Sequence, residues 1–117
     1  MVSAVDLEQD LANGEGFTSE AQIDEVVDEL VKDRSLIFRD LYFSQNESSQ
    51  QLLSAIAADG EAREVLSGSF LQRHRLTATS SVRSALKVLQ AKDLVYRTEN
   101  GWMVYDRIFG EWLRRLA

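Results

Sequence analysis

The chain has 117 residues, of which 44% are apolar and 27% charged, the proportions of a single globular domain large enough to bury a core. It has no cysteine and one histidine, His74, which excludes a disulfide framework, thiolate metal sites and multi-histidine zinc sites. The net charge of −6 is unevenly spread: residues 1–60 carry 13 acidic and 3 basic side chains, residues 61–117 carry 6 and 10, so only the second half suits a polyanion.

Residues 2–11 form a short amphipathic stretch, with Val5 and Ala12 seven apart and Leu7 and Leu11 four apart. Asn13-Gly14-Glu15-Gly16 then breaks it, with glycines suited to a helix stop. Neither a basic flank nor an apolar core is present at the start, and no run of eighteen apolar residues exists, so a soluble cytoplasmic protein is expected, with no membrane partner.

Ser19 and Gln22 have capping-box spacing. Ile23, Val26, Val27 and Leu30 follow as a helical stripe beside an acidic face of Glu20, Asp24, Glu25, Asp28 and Glu29. That face has the spacing of a solvated helix surface rather than of a metal site. The apolar pattern continues through Leu36, Ile37, Leu41 and Tyr42, as one helix or as two with a kink at residues 33–35.

Ser48 and Gln51 form a second capping-box pair, opening a helix that buries Leu52, Leu53, Ile56 and Ala57 and stops at Gly60. Residues 61–66 read as a linker or frayed turn. Phe70 and Leu71 sit on a short helix over residues 67–75, and residues 76–79 turn into the next. Ser80 and Ser81 open that helix as hydroxyl caps; Val82, Ala85, Leu86 and Leu89 give its buried face at i, i+3, i+4 and i+7.

Two strands, residues 94–98 and 102–105, flank Glu99-Asn100-Gly101, and Asn-Gly accepts the positive φ angles of a tight hairpin. Asp106 is an N-cap for a last helix carrying Ile108, Phe109, Trp112, Leu113 and Leu116. Trp102, Tyr105, Phe109 and Trp112 are expected in the core, because each covers a large apolar area.

Short helix, short helix, capped helix and hairpin, in that order, define a winged helix. The expected fold is mainly α with a small β-hairpin wing. An N-terminal helical segment, residues 1–47, packs on a winged helix-turn-helix, residues 48–117.

Catalytic signals are scarce. The six glycines lack the spacing of a phosphate loop, and His74 stands between Arg73 and Arg75 as part of a basic surface rather than as a general base. No enzyme activity is expected.

Nucleic-acid contact is the sharper possibility. The outward face of the capped helix shows Ser80, Ser81, Arg83, Ser84, Lys87 and Gln90, with Arg73, Arg75 and Arg97 placed to add phosphate contacts. Against it stand a pI of about 4.7 and the fact that two cations on an outer helix face are ordinary for solubility.

The run Ser80-Ser81-Val82-Arg83-Ser84-Ala85-Leu86-Lys87-Val88-Leu89 is followed by Lys92-Asp93-Leu94-Val95. Then come Gly101-Trp102-Met103-Val104-Tyr105-Asp106-Arg107-Ile108-Phe109 and Trp112-Leu113. Together these resemble the C-terminal winged helix of the prokaryotic, archaeal-type AAA-like P-loop ATPases. Leu36-Ile37-Phe38-Arg39-Asp40 and Leu53-Ser54-Ala55-Ile56-Ala57 resemble the small helical lid segment of that family.

The family's phosphate loop and magnesium-binding aspartate have no counterpart here, so the resemblance implies a fragment or truncated product. No cofactor is implied for this chain; ATP and Mg belong to the missing core. What it implies is a non-catalytic recognition or regulatory module that docks to a protein partner or the ATPase core, with duplex DNA as the alternative target.

Overall fold

The computed structural model describes residues 20–116. The stretch at residues 2–11, the glycine break after it and the Ser19 cap lie outside them. The chain divides into two compact units, at Ser35 and Leu36.

The first unit contributes helix α1 (Glu20–Asp33), on which Asp24, Glu25 and Glu29 are exposed, as a solvated acidic face requires. Helix α2 (Ser35–Phe43) begins after Arg34, so the apolar pattern from Ile23 to Tyr42 is two helices rather than one.

The second unit is mainly helical with a two-stranded antiparallel sheet: after α2 come α3 (Glu47–Asp59), α4 (Gly68–Arg73), α5 (Thr79–Ala91), β1 (Val95–Arg97), β2 (Trp102–Val104) and α6 (Arg107–Leu116). Helix α3 is its centre, packing on α5, α6 and β2, and Leu52, Leu53 and Ile56 on it are fully enclosed. Phe38 of α2 stands 5.1 Å from Phe109 and 6.3 Å from Trp112, and Tyr42 stands 5.8 Å from Trp112, ring centre to ring centre. These contacts join α2 to α6 within the second unit, which begins at Leu36.

Several helix ends differ from expectation. Asn46, not Ser48, caps α3: its side-chain oxygen accepts from the Ser49 N–H at 2.8 Å, which starts the helix earlier and leaves Ser48 in the first turn. Helix α5 starts at Thr79 with Ala78 as N-cap and no side-chain cap, so Ser80 and Ser81 are first-turn residues rather than caps. Asp106 does cap α6, accepting from Ile108 N–H at 2.9 Å and Phe109 N–H at 3.2 Å. Helix α5 ends with Asp93 in the left-handed region (φ 56°). Its Asp93 N–H donates to the Gln90 carbonyl and its Leu94 N–H to the Leu89 carbonyl, the paired bonds of a Schellman stop.

The hairpin pairs Val95 with Val104, Tyr96 with Met103 and Arg97 with Trp102. Residues 61–66, expected as a linker, supply a third partner: Ala62 bridges Trp102 on the far side of β2. Among the described residues Gly60 is the only glycine with positive φ, so Gly101 is not in the turn for that freedom. It is there for room. A Cβ at Gly101 would stand 2.1 Å from the Ala62 carbonyl oxygen.

The four aromatics expected in the core separate into two pairs. Phe109 (1% exposed) and Trp112 (8%) are core; Trp102 is half-buried and Tyr105 is 66% exposed. Leu116 is likewise exposed rather than part of the buried stripe.

Candidate recognition surface

Helix α5 buries Val82, Ala85, Leu86 and Leu89, and its 3.6-residue period therefore turns Arg83, Ser84, Lys87 and Gln90 outward, all exposed. Ser80 is exposed and Ser81 half-buried in the first turn. Because no side chain caps this end, its first amide N–H groups remain open. Val88 interrupts the polar face and is 38% exposed.

The nine side chains expected to meet DNA fall on α4 and the turn after it, on α5 and on β1. Ser80, Ser81 and Ser84 line an open, mostly polar pocket of about 290 Å³, lined also by Asn46 and Ser48 at the start of α3. Arg97 lines a second groove, of about 410 Å³, between α5 and the wing. Its floor is apolar, from Val65, Leu66, Leu86 and Trp102, and Glu64 and Glu99 stand with Arg97 at the polar rim.

Arg73 is drawn away to the end of α3: its Nη2 lies 2.6 Å from Asp59 Oδ2 and its guanidinium lies over the Phe70 ring at 5.7 Å. Arg75 is exposed and holds a left-handed conformation (φ 55°) at the stop of α4. Arg75, Arg83, Lys87 and Arg97 have no ion-pair partner among the described residues.

His74 belongs to the scaffold. Its Nε2 lies 3.0 Å from Asp59 Oδ1 and its ring sits 4.6 Å from that of Phe70, so it ties α4 to the end of α3. Lys92 is also engaged, donating to Gln45 Oε1 at 3.0 Å. On α6, Arg114 donates to Glu111 through Nε (3.0 Å) and Nη2 (2.7 Å) and to the Ala57 carbonyl through Nη1 (3.0 Å). These hydrogen bonds hold the Glu111 carboxyl below the usual range against the opposing effect of burial, with Arg115 assisting.

Sequence reasoning missed Asn46, Ser48, Val88, Glu64, Val65, Leu66 and Glu99 as surface-forming residues. Val88 alone carried a local signal, as an apolar residue on an otherwise polar helix face. The others reach the site only through the packing of α3 on α5 and the bridge between Ala62 and Trp102.

Among the described residues, no three histidine, cysteine or carboxylate side chains gather to hold a metal ion. No described helix is long and apolar enough to cross a membrane.

A helix-turn-helix from α4 and α5, α3 behind it and a hairpin bridged by Ala62 make this a winged-helix domain, a class that binds DNA or proteins. The chain belongs to the family described as "Probable winged helix domain", which matches residues 36–115. Neither the curated proteins nor the solved structures contain a match to the chain.

Proposed function

We propose that this chain is a non-catalytic recognition module that docks a protein partner in the groove between α5 and the wing. The composition of that groove carries the reading. An apolar floor with the half-buried Trp102 suits an inserted aliphatic or aromatic side chain, while Glu64 and Glu99 oppose a phosphate in the same place. The partner we favour is the core of an archaeal-type AAA-like ATPase, on the strength of the residues resembling that family's C-terminal winged helix. ATP and magnesium would belong to that core. This chain's glycines do not make a phosphate loop, and we assign His74 no catalytic role.

Solvent-accessibility footprinting of the full chain, with and without such a core added in trans, tests this. Protection at residues 64–66 and 98–102, lost in Trp102→Ala, is the expected result. An unprotected groove while the two proteins associate elsewhere overturns it.

The second reading is duplex DNA binding. It is favoured by the exposed and unpaired Arg83 and Lys87 beside Ser80, Ser84 and Gln90, and by the open amides of the α5 start. Salt-dependent affinity separates the two, because neutralising phosphates releases counterions.

A further inference from the structure

Helix α2 buries one side and carries exposed apolar residues on the other. Phe38 faces the core at 4% exposure, whereas Leu36, Ile37 and Phe43 stand 74%, 68% and 59% exposed. Exposed apolar side chains grouped on one short helix mark an interaction surface. Leu36, Arg39, Asp40 and Phe43 occupy i, i+3, i+4 and i+7, which is one face. Arg39 and Asp40 are exposed at the middle of that face, and neither has an ion-pair partner among the described residues. The Arg39 guanidinium leans over the Phe43 ring at 6.0 Å.

This order, apolar, basic, acidic, apolar, is complementary to itself when reversed. A two-fold axis through the centre of the face, with the helices antiparallel, sets Leu36 against Phe43 of the second copy and Arg39 against its Asp40. Each contact then occurs twice, as an isologous interface demands. We infer that α2 is a homodimerisation helix, its occupant a second copy of this chain. The charge complementarity at the centre fixes the antiparallel register, since a parallel arrangement would place Arg39 on Arg39 and Asp40 on Asp40.

The interface is one short helix per chain, so its dissociation falls in the micromolar to millimolar range. The test is sedimentation equilibrium of the full chain from about 10 μM to about 1 mM, with Arg39→Asp, Asp40→Arg, the double exchange, and a mixture of the two single variants. Both positions are exposed, so the fold should survive; circular dichroism melting confirms that it does.

The wild type should dimerise reversibly. Each single variant should weaken self-association at least about tenfold, because two like charges then face each other twice. The double exchange should restore it, and the mixture should form a heterodimer tighter than either variant alone. A wild type that stays monomeric throughout, or single variants that dimerise as the wild type does, overturns the inference. A monomeric wild type would leave the face to a different protein.

Discussion

Ala62 and Trp102 exchange two backbone hydrogen bonds, Ala62 N–H to the Trp102 carbonyl and Trp102 N–H to the Ala62 carbonyl, each 2.8 Å. The exchange ties the segment after α3 to the start of β2. It thereby brings the segment that carries Glu64, Val65 and Leu66 to the groove that Arg97 and Glu99 of the wing also line.

Gly101→Ala should break that arrangement. The added methyl meets the Ala62 carbonyl oxygen at 2.1 Å and its carbon at 2.8 Å, and backbone atoms have no flexible end to move aside. A loss of about 1–3 kcal/mol is expected, the usual range for forced overpacking. Gly68→Ala is the control, since nothing lies within 4 Å of its added methyl at the first position of α4. It should be neutral or gain up to about 1 kcal/mol from the reduced freedom of the unfolded chain. Urea titrations of both variants read the two signs. Equal stabilities would show that the wing does not depend on the Ala62 bridge.

Trp112→Ala should cost about 3–5 kcal/mol. The indole is 8% exposed and lies among Phe38, Tyr42 and Phe109, with its ring centre 5.9 Å from that of Phe109. Because Phe38 and Tyr42 belong to α2, the variant should also loosen that helix, seen as faster amide exchange at residues 36–43. A thermal midpoint that hardly moves would contradict this account of the core.

What the sequence disclosed and what it hid follow from the range over which each signal acts. The period of Val82, Ala85, Leu86 and Leu89 fixes which side of α5 is inward, so the exposure of Arg83 and Lys87 was legible. Asp106 was legible for the same local reason, its carboxylate reaching amides only two and three residues away. The α3 cap was misread because Asn46 and Ser48 are both good cap residues at nearly the same place, and only geometry chooses between them. Gly101 was found for a wrong reason: Asn-Gly signals a turn, but the requirement comes from Ala62, thirty-nine positions earlier. The carboxylate rim of the groove was invisible, since Glu64 and Glu99 line one groove only in the folded chain.

Glu111 gives a pH signature. Its carboxyl is held low by Arg114 and Arg115, so the folded state stabilises the ionised form. The contribution is therefore fully present above the ordinary glutamate range and disappears as pH falls through about 4.3 and below. Glu111→Gln should lose roughly 0.3–1 kcal/mol at neutral pH, a modest amount because the pair is partly solvated. The gap between wild type and variant should close as the solution is acidified toward pH 3. Melting curves at several pH values measure it, and a gap that stays constant would show that Arg114 is held by the Ala57 carbonyl alone.

The DNA reading makes its own separable demand. Arg83 projects from the middle of the outer face of α5, where a guanidinium entering the major groove can bond a guanine in bidentate fashion. Arg97 sits on the wing, and the DNA reading assigns it to phosphate. If duplex DNA is the ligand, Arg83→Ala should cost about 1–3 kcal/mol and relax sequence preference, while Arg97→Ala should weaken all sequences alike and lower the salt slope by about one. Glu64 and Glu99 line the same groove as Arg97, so Glu99→Lys should raise affinity for any duplex, a gain that shrinks as salt screens it. Fluorescence anisotropy with a labelled duplex at about 50 mM and about 200 mM salt covers all four proteins. Absence of binding by the wild type at the lower salt, together with its appearance in Glu99→Lys, would assign Glu99 the role of keeping this face from DNA and leave the groove to a protein.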